Sequence, residues 1–160
     1  MKDKSFRAGF GFGIASGVIT TLGLIIGLYA STNSLKVVLG GIITIAIADS
    51  FSDAFGMHLS QEAQGTCTKH IWLSSLFTFL FKFIITISFL PIFFITNIKT
   101  GIILDIIWGY ILLVSFSYFL AKKTKNSPIK VILEHFAIMS FVIIATYYVG
   151  LLIEKLIFKN

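Results

Sequence analysis

From Ala8 to Ala30 the chain runs without a single charged side chain. A helix rises about 1.5 Å per residue, so a stretch of this length covers the roughly 30 Å of a bilayer's hydrocarbon. A water-soluble fold would have to cover such a helix on every side, and a bilayer removes that demand. Four more apolar stretches follow, giving spans at approximately 8–30, 37–60, 71–97, 101–120 and 129–152. The second contains Asp49 and Asp53, the third Lys82 and Pro91, and the fourth Asp105 near its start. Glu134 and His135 stand in the first turns of the fifth. The pattern predicts an all-α integral membrane protein of five transmembrane helices, one domain over residues 1–160.

Composition agrees. Charged residues make up 12% of the chain and the mean hydropathy is +0.94, against about 25% charged in an ordinary soluble domain. Seventeen Phe residues would leave a soluble globule with apolar patches it could not cover. A single cysteine, Cys67, excludes an intramolecular disulfide and any CxxC motif. The formal charge is +6, but the basic residues sit in short clusters between apolar stretches. That spacing is a topology signal rather than a phosphate-binding face, so lipid and not nucleic acid is the expected partner. The basic start MKDKSFR leads into a span-length stretch with no cleavage site, which is expected to be retained.

With the N-terminus cytoplasmic, the inner segments hold Lys2, Lys4, Arg7, Lys69, Lys122, Lys123, Lys125 and Lys130. The outer segments then hold Lys36, Lys99, Lys155 and Lys159. Eight basic residues against four predict that orientation. The longest polar stretch, Gln61 to His70, has ten residues, so neighbouring helices should be antiparallel.

Chemistry concentrates in the second span, AIADSFSDAFGMHLS. Asp49 and Asp53 are four apart, about 40° from each other around a helix and about 6 Å along it. An aspartate at mid-membrane costs about 2.5–3.5 kcal/mol to insert. Two on one face must look into the bundle or a wet cavity, where carboxylates can replace a cation's hydration shell or exchange protons. Their alternative role is simple bonding to polar groups on neighbouring helices. Met57 extends the face by a turn, as a soft metal ligand or as packing material. His58 and Glu62, also four apart, are either a way in for a metal or solvated headgroup-region residues.

In the first span Gly9, Gly13, Ser16, Gly17, Thr20, Gly23 and Gly27 form a small-residue stripe. Such a stripe serves as a dimer seam, an intrachain packing face or the lining of a narrow path. Ser16 and Thr20 add oxygens at mid-membrane. Lys82 is placed either to pair with a buried acid or to snorkel toward an interface. Asp105, Glu134 and His135 are expected at the membrane interface, with the lining of a vestibule as the alternative.

SGVITTLGLIIGLYAS resembles the first span of the vacuolar iron transporter family, and ADSFSDAFGMHLSQEAQ resembles its second. FTFLFKFIITISFLPIFF, with Pro91, is similar to the third. The Lys-rich loop ending at Ser127 and Pro128, followed by ATYYVGLLI, resembles the approach to the fifth and its end. The resemblance implies a homodimer that exports Fe²⁺ or Mn²⁺ from the cytosol against protons. Its path would lie between first and second spans at the dimer interface, with metal at Asp49, Asp53 and Met57. Ser16 stands where that family has an acid, Asp53 where a methionine is common, and Asp49 where small residues are usual. The cytoplasmic metal-binding insertion of plant relatives is absent between spans two and three.

No permanently bound cofactor is expected, and a prokaryotic plasma membrane is the expected location. Neither GxSxG nor HExxH occurs, so an enzyme is not expected. The alternative is a non-transporting scaffold or assembly protein that keeps the same fold.

Overall fold

A computed structural model describes residues 2–158, with side chains described for 5–157. Lys159, part of the charge asymmetry, lies outside the described residues. The helices are α1 (Lys2–Thr32), α2 (Leu35–Ala63), α3 (Thr68–Ile87), α4 (Leu90–Ile95), α5 (Ile98–Thr124) and α6 (Pro128–Ile153). A π-helical turn, Glu154–Phe158, continues α6. They make five stretches long and apolar enough to cross a membrane: Ser5–Thr32, Leu35–Ala63, Thr68–Ile95, Ile98–Thr124 and Pro128–Ile157.

Local chemistry sets the boundaries. Asn33 adopts a left-handed φ of 47° and reverses the chain between α1 and α2, a conformation asparagine tolerates better than most residues. The Asn97 side chain caps α5 by accepting from the Thr100 amide at 3.0 Å. Lys125, at φ 57°, ends α5, and Pro128 opens α6 at a position where its missing N–H costs nothing.

The third span differs from the continuous stretch expected at 71–97. α3 stops at Ile87, Ser88 and Phe89 form a turn, and α4 restarts with Pro91 in its first turn. Proline cannot donate back to the preceding turn, and its ring crowds that turn's carbonyl, so the helix breaks there. Phe89 is completely buried at the break, and Trp108 Nε1 donates to Ser88 Oγ at 3.1 Å.

α1 is the central helix. Half of its most apolar window is buried, against 11% for α6. Its glycines allow this. A Cβ on Gly9 would lie 2.5 Å from the Ser74 carbonyl oxygen of α3, and one on Gly13 2.9 Å from that of Thr78. Gly17 faces Ile85 of α3, while Gly23 and Gly27 face Val142 and Thr146 of α6. The stripe therefore packs against two helices of its own chain. Around it Val18, Leu22, Ile25, Val38, Ile42 and Leu113 form a fully or almost fully buried core.

α2 is the opposite case. Val38, Ile42, Ala46 and Ser50 face inward, and Gly40, Thr44, Ala48, Ser52 and Gly56 form an exposed row. Nothing approaches within 4 Å of the place where a Cβ on Gly40 or Gly56 would be.

Candidate functional site

One face of α3 carries Ser74, Thr78, Lys82 and Thr86, four apart and all fully buried. On the N-terminal side of the membrane this face lies against Gly9 and Gly13, where close backbones leave room only for small side chains. Ser74 and Thr78 return their hydroxyls to the carbonyls of His70 and Ser74 in their own helix. Lys82 is too long for that, and its side chain reaches between α1 and α2.

There its ammonium meets three oxygens. Lys82 Nζ lies 2.5 Å from Asp49 Oδ2, pairs with Asp53 Oδ2, and donates to Ser16 Oγ at 2.9 Å. Ser16 Oγ in turn donates to Asp53 Oδ2 at 2.5 Å. An ammonium has three protons to donate, so Lys82 is fully satisfied. Two carboxylates and one ammonium leave the cluster with one formal negative charge.

The cluster has a closed side and an open side. The Lys82 side chain is 1% exposed, whereas those of Asp49 and Asp53 are 30% and 19% exposed. Ser52 and Gly56 follow the two acids by three residues each, so the open side borders the bare row on α2. Asp49 is the central residue of α2, with Asp53 one turn further on, and Lys82 sits near the middle of the third span, Thr68–Ile95.

Of the residues singled out in the sequence, Asp49, Asp53 and Ser16 are brought together. Lys82 takes the first of its two expected roles, the ion pair. Thr20 is exposed one turn beyond Ser16 and donates to the Ser16 carbonyl at 2.8 Å. Met57 is half-buried one turn from Asp53. His58 and Glu62 are not gathered to the acids. The His58 ring stands edge-on to Trp72, 4.7 Å between centroids, in an apolar cleft of about 460 Å³ with Phe51, Phe55 and Leu76. Glu62 is exposed. Among the described residues no three His, Cys, Asp or Glu side chains form a metal-binding group.

Asp105 corrects an expectation. It is fully buried rather than interfacial, and neither carboxyl oxygen has a hydrogen-bond partner. The fourth span starts at Ile98 rather than 101, which moves Asp105 two turns into the helix. Gly101 and Gly109, one turn on either side, pack on Phe93 of α4 and on Leu22 and Val18 of α1. Those two helices close over the acid between them. The spacing Gly101–Asp105–Gly109 was the available signal, because it marks a face meant for close approach. His135 is also drawn inward: its Nδ1 lies 2.7 Å from Ser117 Oγ of α5, while Glu134 is exposed.

A hydrogen bond from Thr21 Oγ1 to Thr86 Oγ1, 3.1 Å long and fully buried, ties α1 to α3 one turn beyond Lys82. Comparison with protein-family models, curated proteins and solved structures finds no match to this chain.

Proposed function

We propose that the chain is a cation transporter, with Asp49, Asp53, Lys82 and Ser16 as its exchange site. The observation that carries this is the cluster itself. Two carboxylates at mid-span share a single ammonium tethered to another helix, and they remain open on the side away from it. An ordinary structural ion pair has no need of a second acid or an open side. The Lys82 ammonium holds the place of a cation. A divalent ion reaching the acids from their open side competes with it for the same oxygens, and the returning ammonium aids release. A lysine built into the site thus prevents the ion from being held too tightly to leave.

The cargo in this reading is Fe²⁺ or Mn²⁺, following the resemblance described above, with Met57, Thr20 and Ser16 as auxiliary contacts. Carboxylates are hard donors and suit Mn²⁺ at least as well as Fe²⁺. Export from the cytosol against protons follows from the same resemblance, with the N-terminus inside as the charge asymmetry predicts. The bare row Gly40–Thr44–Ala48–Ser52–Gly56 supports a homodimer, because small residues at that spacing let two helices approach closely. Such a dimer would bring the open sides of two clusters toward a shared path. A prokaryotic plasma membrane is the location that goes with this reading.

Uptake of Mn²⁺ and Fe²⁺ into proteoliposomes tests the proposal. The parent is expected to transport, and Asp49→Asn combined with Asp53→Asn is expected to abolish it. Equal transport by parent and double variant sinks the idea. One observation favours a second reading, a non-transporting scaffold: Lys82 already satisfies both acids without any cargo. A scaffold would show no metal-dependent shift in melting temperature, whereas a transporter melts later with its ion present.

A further inference from the structure

We propose that Asp105 is a proton-binding site inside the bundle, loaded from the side of the membrane opposite the N-terminus. The proposal rests on the transport reading, since it supplies the residue that carries the counter-moving proton. Of the ionisable side chains in the middle of the spans, Asp49, Asp53 and Lys82 are tied to one another. Asp105 is tied to nothing: it is fully buried and both oxygens lack a partner.

A carboxylate carries its charge in an apolar medium only with compensation, from a cation or from several hydrogen-bond donors. The elements packed on α5 bring no such group to Asp105. From α1 the nearest titratable side chain is Tyr29 at the far end, and from α6 they are Tyr147 and Tyr148 at the same level. Among the described side chains these two helices bring Arg7, Lys130, Glu134 and His135 at the N-terminal end, and Glu154 and Lys155 stand in the π-helical turn beyond α6 at the opposite end. α4, with the sequence LPIFFI, brings none. On α5 itself Tyr110 is bonded to Ser140, and Lys99 and the Lys122–Lys123 pair lie near the two ends. Gly101 and Gly109 bring Phe93 of α4 and Leu22 of α1 into close contact on either side of the acid. A proton neutralises the carboxyl without needing a cationic or hydrogen-bonding partner.

The geometry also places a cleft beside the acid. Asp105 lies seven residues into α5, about 10 Å from the start of the helix. A cleft of about 380 Å³ between α1, α5 and α6 is lined by Ile102 and Ile106, which flank Asp105 in sequence, and by Tyr29, Tyr147 and Tyr148. All three tyrosines stand toward the side of the membrane opposite the N-terminus. The exchange is balanced: the carboxylate takes one proton from water on that side to become the neutral acid, and later returns it.

Infrared spectroscopy on protein with ¹³C-labelled aspartate tests the proposal without requiring transport. A carbonyl-stretch band of a protonated aspartic acid should appear and disappear between mildly acid and mildly alkaline pH. Asp105→Asn should remove it. The triple variant Asp49→Asn, Asp53→Asn, Lys82→Met, which leaves Asp105 as the last aspartate within a span, should keep it. No titrating band in the parent, or a band that survives Asp105→Asn, overturns the proposal. If Asp105→Asn does not fold, absence of the band from the triple variant overturns it as well. In proteoliposomes, Asp105→Asn should still pass Mn²⁺ down its gradient but lose the accompanying proton flux. An unchanged proton flux overturns the proposal. A parent that moves no metal but keeps the titrating band overturns the transport reading and leaves the proton site standing.

Discussion

The spans hold charge in two places, and the packing treats them in opposite ways. At the α1–α2–α3 junction a buried ammonium is matched by two carboxylates and a hydroxyl, and the acids stay partly exposed. On the α5 side of α1 a single carboxyl is closed in completely and matched by nothing. The first arrangement contributes to holding three helices together. The second contributes nothing to stability and is expected to lower it. An unpaired buried acid is better explained by what it does than by what it supports.

The largest expected effect separates the two. Asp49→Asn with Asp53→Asn leaves the Lys82 ammonium buried without an acid, which should cost about 3–5 kcal/mol, read from reversible unfolding in mixed micelles. Adding Lys82→Met should recover most of that loss, because removing an entire buried ion cluster is often close to neutral. If the triple variant is no more stable than the double, the cluster is not a self-contained unit.

Next comes the contrast between enclosed and bare glycines. Gly13→Leu drives a side chain into the α3 backbone, and overpacking of this kind costs about 1–3 kcal/mol. Gly56→Leu meets open space and should leave the stability of the single chain unchanged. It should instead weaken self-association in detergent, measured by sedimentation. A Gly56→Leu protein that associates as the parent does would rule out the proposed dimer seam on α2.

Ser16→Ala is expected to cost about 1 kcal/mol, a typical net value for one lost hydrogen bond. It should also shift the metal concentration at half-maximal transport rather than abolish transport. The smallest effect is on the other side of α1. Asp105→Leu should leave the unfolding free energy unchanged or raise it, because exchanging an unpaired buried polar group for an apolar one can stabilise a protein. A loss as large as that of the acid pair would mean that Asp105 has a partner in the membrane after all.

The spans were legible because their signal is one-dimensional. About 20 apolar residues in a row need no knowledge of neighbours. The common face of Asp49 and Asp53 was legible for a similar reason, since it follows from helical spacing alone. Lys82 was not decidable in that way. Whether it pairs or snorkels depends on which face of α3 meets α2, and the apolar residues around α3 do not mark that face. Asp105 failed differently. Its distance from the start of an apolar stretch suggested an interface, yet burial depends on the three-residue extension to Ile98 and on the cover provided by α4. That cover exists only because Pro91 breaks the third span and lets Phe93 turn onto Gly101. His58 and Glu62 shared a helix with the acids but faced a different neighbour, Trp72 in the case of His58.

The four-residue link Gln64–Cys67 between α2 and α3 has a consequence for biogenesis. α2 carries two aspartates whose insertion alone costs about 2.5–3.5 kcal/mol each near the centre of a bilayer. The lysine that relieves them comes next in the chain, on the helix that follows. The nascent chain should therefore leave the insertion machinery with α2 and α3 as a hairpin rather than one helix at a time. A released chain truncated after Ala63 is expected to hold α2 poorly in the lipid, and one extended through α3 should secure it.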